Sequence, residues 1–75
     1  MNQSSINKQE INYLVLIFNE FAKLHNISIL EAYQYISQYK GLEFLLEFYD
    51  VNHTLSTDDV VDDVAAICAQ NGGAL

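Results

Sequence analysis

The sequence predicts an all-α protein, a compact bundle of about four helices with the first helix at its centre. Three observations predict it. The chain holds no proline and only three glycines; apolar residues recur at helical spacing through most of it; and capping signatures precede the first two periodic runs. With so few breakers, helix is the default. The runs divide at N-I-S, Y-K-G and Y-D-V-N-H-T.

The first predicted helix starts near Asn7, with Glu10 at the capping-box spacing, and continues to about His25. Ile11, Leu14, Val15, Phe18 and Ala22 form one stripe, and Tyr13, Ile17, Phe21 and Leu24 widen it. At about 100° per residue the apolar arc covers roughly 200° of the helix. Asn12, Asn19, Glu20 and Lys23 make up a polar strip that Leu16 interrupts. So wide an arc needs cover on more than one side, which places this helix at the centre. His25, in its last turn, complements the helix dipole.

Ser28 followed by Glu31 opens the second helix, whose apolar positions are Ile29, Ala32, Tyr33, Ile36 and Tyr39. Gly41 is expected to supply the left-handed residue that ends it. The third helix, over about 42–49, sets Leu42, Leu45, Leu46 and Tyr49 on one side and Phe44 and Phe48 on another. Both sides require cover. The fourth begins at Ser56 or Thr57 and ends at N-G-G, with Val60, Val61, Val64, Ile67 and Cys68 as its apolar stripe. Asp58, Asp59, Asp62 and Asp63 fall on the opposite face by the same angular count.

A chain of 75 residues forms one domain, because it buries only about 60 to 65% of its unfolded surface and cannot support two cores. The ordered core is expected over about 7–71, with flexible ends. Cys68 is the single cysteine, so no disulfide closes within the chain, and the thiol reads as a small buried apolar group.

The formal charge is −7, carried against three lysines, Lys8, Lys23 and Lys40, and no arginine. Phosphate neutralisation and guanine readout both need clustered basic side chains, which argues against nucleic acid. Anionic membranes are repelled as well. The natural complement is a protein partner with a basic surface. The N-terminal M-N-Q-S-S-I-N-K-Q-E lacks a basic, then apolar, leader pattern, and the apolar run at 14–18 is too short for a span of about 20 residues. A cytoplasmic protein is expected.

The segment Y-D-V-N-H-T gathers side chains that invite a chemical reading. A metal site would take Asp50 and His53, supported by Asp58 or Asp59, but a structural zinc prefers four Cys or His ligands and a catalytic one at least three protein ligands. Calcium would need a glycine-bearing loop ending in Glu. A hydrolytic triad of Asp50, His53 and Thr54 or Ser56 lacks an oxyanion device, and a chain this small has little room for an enclosed pocket. Neither cofactor nor enzymatic activity is expected. The plainer reading is a turn in which Asp50 bonds local backbone N–H groups, Asn52 takes an unusual backbone angle, and His53 ties the loop to the end of the third helix. Asp58 and Asp59 then oppose the dipole of the last helix, whereas Asp62 and Asp63 lie beyond its reach.

The motifs F-A-K-L-H-N-I-S, E-A-Y-Q-Y-I-S-Q-Y-K-G and F-Y-D-V-N-H-T-L-S followed by V-V-D-D resemble a family of small acidic bacterial proteins of unknown function, over about residues 9–73. Tyr49, Asp50, His53 and Thr54 match its Y-D-V-x-H-T motif, to which no catalytic role attaches. The resemblance implies a gene neighbour of ADP-ribosyltransferase-like fold, hence a toxin-antitoxin-like or accessory pair. Two functional expectations follow. One is an interaction domain with Leu16, Tyr35, Phe44 and Phe48 as apolar anchors and the four aspartates steering a basic partner. The other is a homodimer that covers the spare faces of the first and third helices.

Overall fold

The computed structural model describes residues 7–75; the expectation of a flexible end before residue 7 lies outside them. Among the described residues five helices follow one another, α1 (Lys8–His25), α2 (Ile29–Gln38), α3 (Gly41–Glu47), α4 (Tyr49–Asn52) and α5 (Thr57–Gln70). No strand occurs among the described residues. The fold is all-α, with one helix more than expected because the third periodic run breaks at Phe48.

Local chemistry starts the helices as the spacing predicts. Asn7 Oδ1 accepts from the Glu10 N–H at 2.8 Å while the Glu10 carboxylate accepts from the Asn7 N–H at 3.1 Å. Ser28 and Glu31 repeat this at 3.0 and 2.9 Å. Ser56, not Thr57, caps α5, its Oγ accepting from the Asp59 N–H at 3.2 Å. Each device satisfies N–H groups that no helical partner reaches.

The C-terminal ends use left-handed residues. Asn26 takes φ 56°, ψ 47° after α1, and the Ile27 N–H reaches back to the Ala22 carbonyl at 3.0 Å. Gly72 (φ 99°) does the same after α5, where the Gly73 N–H donates to the Cys68 carbonyl at 2.8 Å. After α2 the left-handed residue is Lys40 (φ 75°), not Gly41. Gly41 is buried as the first residue of α3, and a Cβ there would meet Ile36 Cγ2 at 2.7 Å and Cys68 Sγ at 3.0 Å. Its smallness is needed for contact between α3 and the helices beneath it, so the left-handed position falls to its neighbour.

Leu14, Ile17, Phe18, Phe21 and Ala22 turn inward from α1, meeting Ala32 and Ile36 of α2, Leu45 of α3, and Val60, Val64 and Cys68 of α5. In the middle stand α2 and α5, each packed against α1, α3 and the other. The first helix packs on both of them and supplies five of the buried core side chains. Its predicted arc is covered only in part: Ile17 and Phe21 are fully buried, whereas Ile11, Val15 and Leu24 remain exposed, as does Leu16. Apolar atoms make up more than half of any folded surface, so an apolar position predicts burial only when a neighbouring helix reaches it.

Candidate functional site

The segment expected to be a turn folds into a helical turn of its own. At Phe48 the backbone takes φ −108°, ψ 24° and α3 stops. The chain then winds again, with the Val51 and Asn52 N–H groups donating to the Phe48 carbonyl at 3.1 and 2.8 Å. The Tyr49 and Val51 carbonyls accept from the His53 and Thr54 N–H groups at 3.0 and 3.2 Å, and side chains of the motif add a second bond to each. His53 Nδ1 lies 2.8 Å from the Tyr49 carbonyl, which only accepts, so the ring nitrogen carries the proton and donates. The Thr54 hydroxyl donates to the Val51 carbonyl at 2.7 Å.

These bonds belong to an aromatic ladder. The His53 ring stacks on Tyr49 with centroids 4.8 Å apart, and Tyr49 meets the edge of Tyr13 at 5.3 Å. The ladder fastens α4 to α1. Burial pushes the Tyr13 hydroxyl above its ordinary range, and the nearby Tyr49 adds to the shift. Asp50 is exposed on the outer side of α4. Asn52, expected to take an unusual backbone angle, is helical and only 4% exposed, and its Nδ2 has no hydrogen-bond partner among the described residues. A helical turn in place of a loop put its side chain on the core side.

The His53, Thr54 and Ser56 side chains that a hydrolytic reading would use each bond the local backbone. His53 Nδ1–H and the Thr54 proton are held by backbone carbonyls, and Ser56 Oγ serves the N-terminus of α5. Among the described residues no three His, Cys, Asp or Glu side chains are grouped as a metal ion requires. Cys68 is buried, and burial, outweighing a hydrogen bond from the Gly41 backbone, pushes its thiol up. Such a thiol stays protonated and unreactive. His25 packs against Phe21 with ring centroids 4.3 Å apart. No described helix is long and apolar enough to cross a membrane.

The surface candidates fall in different places. Asp58, Asp59, Asp62 and Asp63 are all exposed on α5. Asp58 and Asp62 border an open groove of about 520 Å³ between α1 and α5, completed by Glu20, Lys23, Leu24 and Val61. Lys23 pairs with Glu20 at 3.3 Å, so a cation already stands beside that groove. Leu16 is exposed on α1. Tyr35 is not an outward anchor: its ring lies between Phe21 and Tyr39, and its hydroxyl accepts from the Leu75 N–H at 3.2 Å. Phe44 is half-buried against the core, while Phe48 is exposed beside it, with ring centroids 5.6 Å apart.

Val51 and Leu55 extend this apolar surface and were missed in the sequence. Both are exposed. Val51 follows Phe48 at helical spacing, the one signal of it in the sequence, whereas Leu55 lies beyond α4 and carries none. Treating the segment as a turn concealed it.

The described residues define a small all-α domain. Within that class, the family model described as "Protein of unknown function (DUF3791)" matches residues 12–71, and the chain belongs to that family. No curated protein and no solved structure gives a match.

Proposed function

We propose that the protein is a non-enzymatic interaction domain of the cytoplasm, an antitoxin-like or accessory partner of an ADP-ribosyltransferase-like protein. The observation that carries this reading is the coexistence of a closed core with large apolar side chains left in solvent in and around α4, namely Phe48, Val51 and Leu55, near half-buried Phe44. Isolated exposed apolar residues are ordinary, but several in sequence along one surface are a mark of interaction sites. The formal charge of −7 favours a basic partner, and the commitment of His53 and Thr54 to backbone carbonyls supports a structural role for the motif. The family resemblance supplies the partner's class.

The test is co-purification of the tagged chain with the product of the neighbouring gene, followed by light scattering of the eluted species. A stoichiometric complex is expected. Recovery of the chain alone, with its partner expressed and soluble, would defeat the reading. A homodimer is the second reading, favoured by Ile11 and Val15, which lie exposed four residues apart on α1. A monomer in sedimentation at micromolar concentration would dismiss it.

A further inference from the structure

We infer that the solvent-facing side of the segment 43–55, which runs from within α3 past α4, is the docking site for an amphipathic helix of a different protein, one with lysine or arginine along one border of its apolar stripe. The inference rests on the interaction reading above and names the partner's chemistry.

Its basis is a repeated dipeptide. Glu43-Phe44, Glu47-Phe48 and Asp50-Val51 each place an acid immediately before an apolar residue, and the three pairs recur at i, i+4 and i+7. Within a helical turn a one-residue offset is about 100°, so each pair sets an acidic side chain beside an apolar one. The structure leaves both in solvent. Phe48, Val51 and Leu55 are 46%, 60% and 43% exposed, and Glu43, Glu47 and Asp50 are exposed alongside. The core lies on the other side of the same segment, where Leu45 and Asn52 are buried. The exposed apolar side chains therefore share the solvent side of this segment with its acids.

The charge selects the occupant. Among the described residues the ion pairs engage Glu20 with Lys23 and Glu43 with Lys40, the latter at 3.7 Å, leaving Glu47 and Asp50 without a cation. A second copy of the chain is poorly suited to supply one, having three lysines and no arginine against ten acids. A partner that buries the apolar stripe must bring its own basic border. The backbone selects the shape. No strand is present among the described residues, so no sheet edge is offered for an added strand.

The inference is tested on the full chain by fluorescence anisotropy with two synthetic helical peptides. They share leucines at i, i+3, i+4 and i+7, and differ in carrying lysines or glutamates along one border. The lysine peptide is expected to bind about tenfold or more tighter than the glutamate peptide. Val51→Ser with Leu55→Ser should weaken it by about tenfold, and Glu47→Gln with Asp50→Asn should weaken it less and flatten its salt dependence. All four positions are exposed, and a thermal melt of each variant verifies folding. Failure of the lysine peptide to bind, equal binding of the two peptides, or binding unaffected by the Val51 and Leu55 changes would overturn the inference. A chain that sediments as a dimer and is made monomeric by those changes would overturn it too, with the second copy as occupant. Co-purification separates the two readings. A partner retained undiminished by the Val51 and Leu55 variant preserves the interaction function and removes this site; absence of any partner removes the function.

Discussion

Gly41 stands so close to Cys68 that a Cβ on the glycine would lie 3.0 Å from the Cys68 Sγ, and 2.7 Å from Ile36 Cγ2. Neither neighbour is the free end of a flexible surface chain; both are buried, one on α5 and one on α2. Gly41→Ala is therefore an overpacking change, costing about 1–3 kcal/mol. The glycine is helical here, so alanine recovers about 0.5–1 kcal/mol of backbone entropy. Overpacking wins, and the variant should melt several degrees lower in a thermal scan, with unchanged helical content at 20 °C. An unchanged or raised melting temperature would show that Ile36 and Cys68 can move apart freely.

The pairing of His53 with Tyr49 leads to a second expectation. His53→Ala removes a carbonyl hydrogen bond and an exposed ring stack, together worth about 1–2 kcal/mol. The urea midpoint should fall while the slope stays the same, since the folded state remains compact. At concentrations where the variant is folded, its affinity for the lysine peptide should equal that of the natural chain. A loss of affinity with no loss of stability would instead make His53 a contact residue.

The helix starts were legible because their determinants are local. Asn7 with Glu10, and Ser28 with Glu31, state the capping geometry in four residues of sequence. Elsewhere the answer depended on distant residues. A glycine after α2 suggests a left-handed stop, yet contact with Ile36 and Cys68 requires Gly41 inside α3 and forces Lys40 to φ 75°, at a cost of about 1–2 kcal/mol. The split at Phe48 turned a supposed loop into a helical turn, exposing Val51 and burying Asn52. Burial on α1 was equally hidden: Leu14 and Ile11 fit the same periodic stripe, but α2 and α5 cover only the first.

Glu31 gives the fold a pH dependence with a definite sign. The Ser28 backbone N–H, and then its hydroxyl, hold the Glu31 carboxyl below its ordinary range. A depressed folded value means that the contribution is present above the unfolded value of about 4.3 and is lost as pH falls through the lower, folded value. Glu31→Gln retains a capping-box side chain but has no charge to titrate. The natural chain should thus melt slightly higher than the variant at neutral pH, and the difference should close as pH drops below the carboxylate range. Thermal melts of both proteins at stepped pH give the comparison. A gap that stays constant with pH would mean that the carboxylate charge at Glu31 contributes nothing.

The four aspartates of α5 should separate into two pairs by their effect on stability. Asp58 and Asp59 lie in the first turn, where a carboxylate opposes the positive end of the helix dipole. Each is worth about 0.3–1 kcal/mol there. Asp62 and Asp63 lie a turn further in, beyond most of that benefit, and stand at i+4 from Asp58 and Asp59, where like charges repel by about 0.2–0.5 kcal/mol per pair. Neutralising the first pair with Asn should therefore lower stability, whereas neutralising the second should leave it unchanged or raise it slightly. Chemical denaturation at low salt resolves the difference, and added salt should shrink it as both terms are screened. If Asp62→Asn and Asp63→Asn prove stabilising, folding alone gives no reason for those two carboxylates, and a role in attracting a basic partner gains weight. If they prove as destabilising as the first pair, the ridge is part of how α5 folds, and its acidity no longer counts as support for a partner.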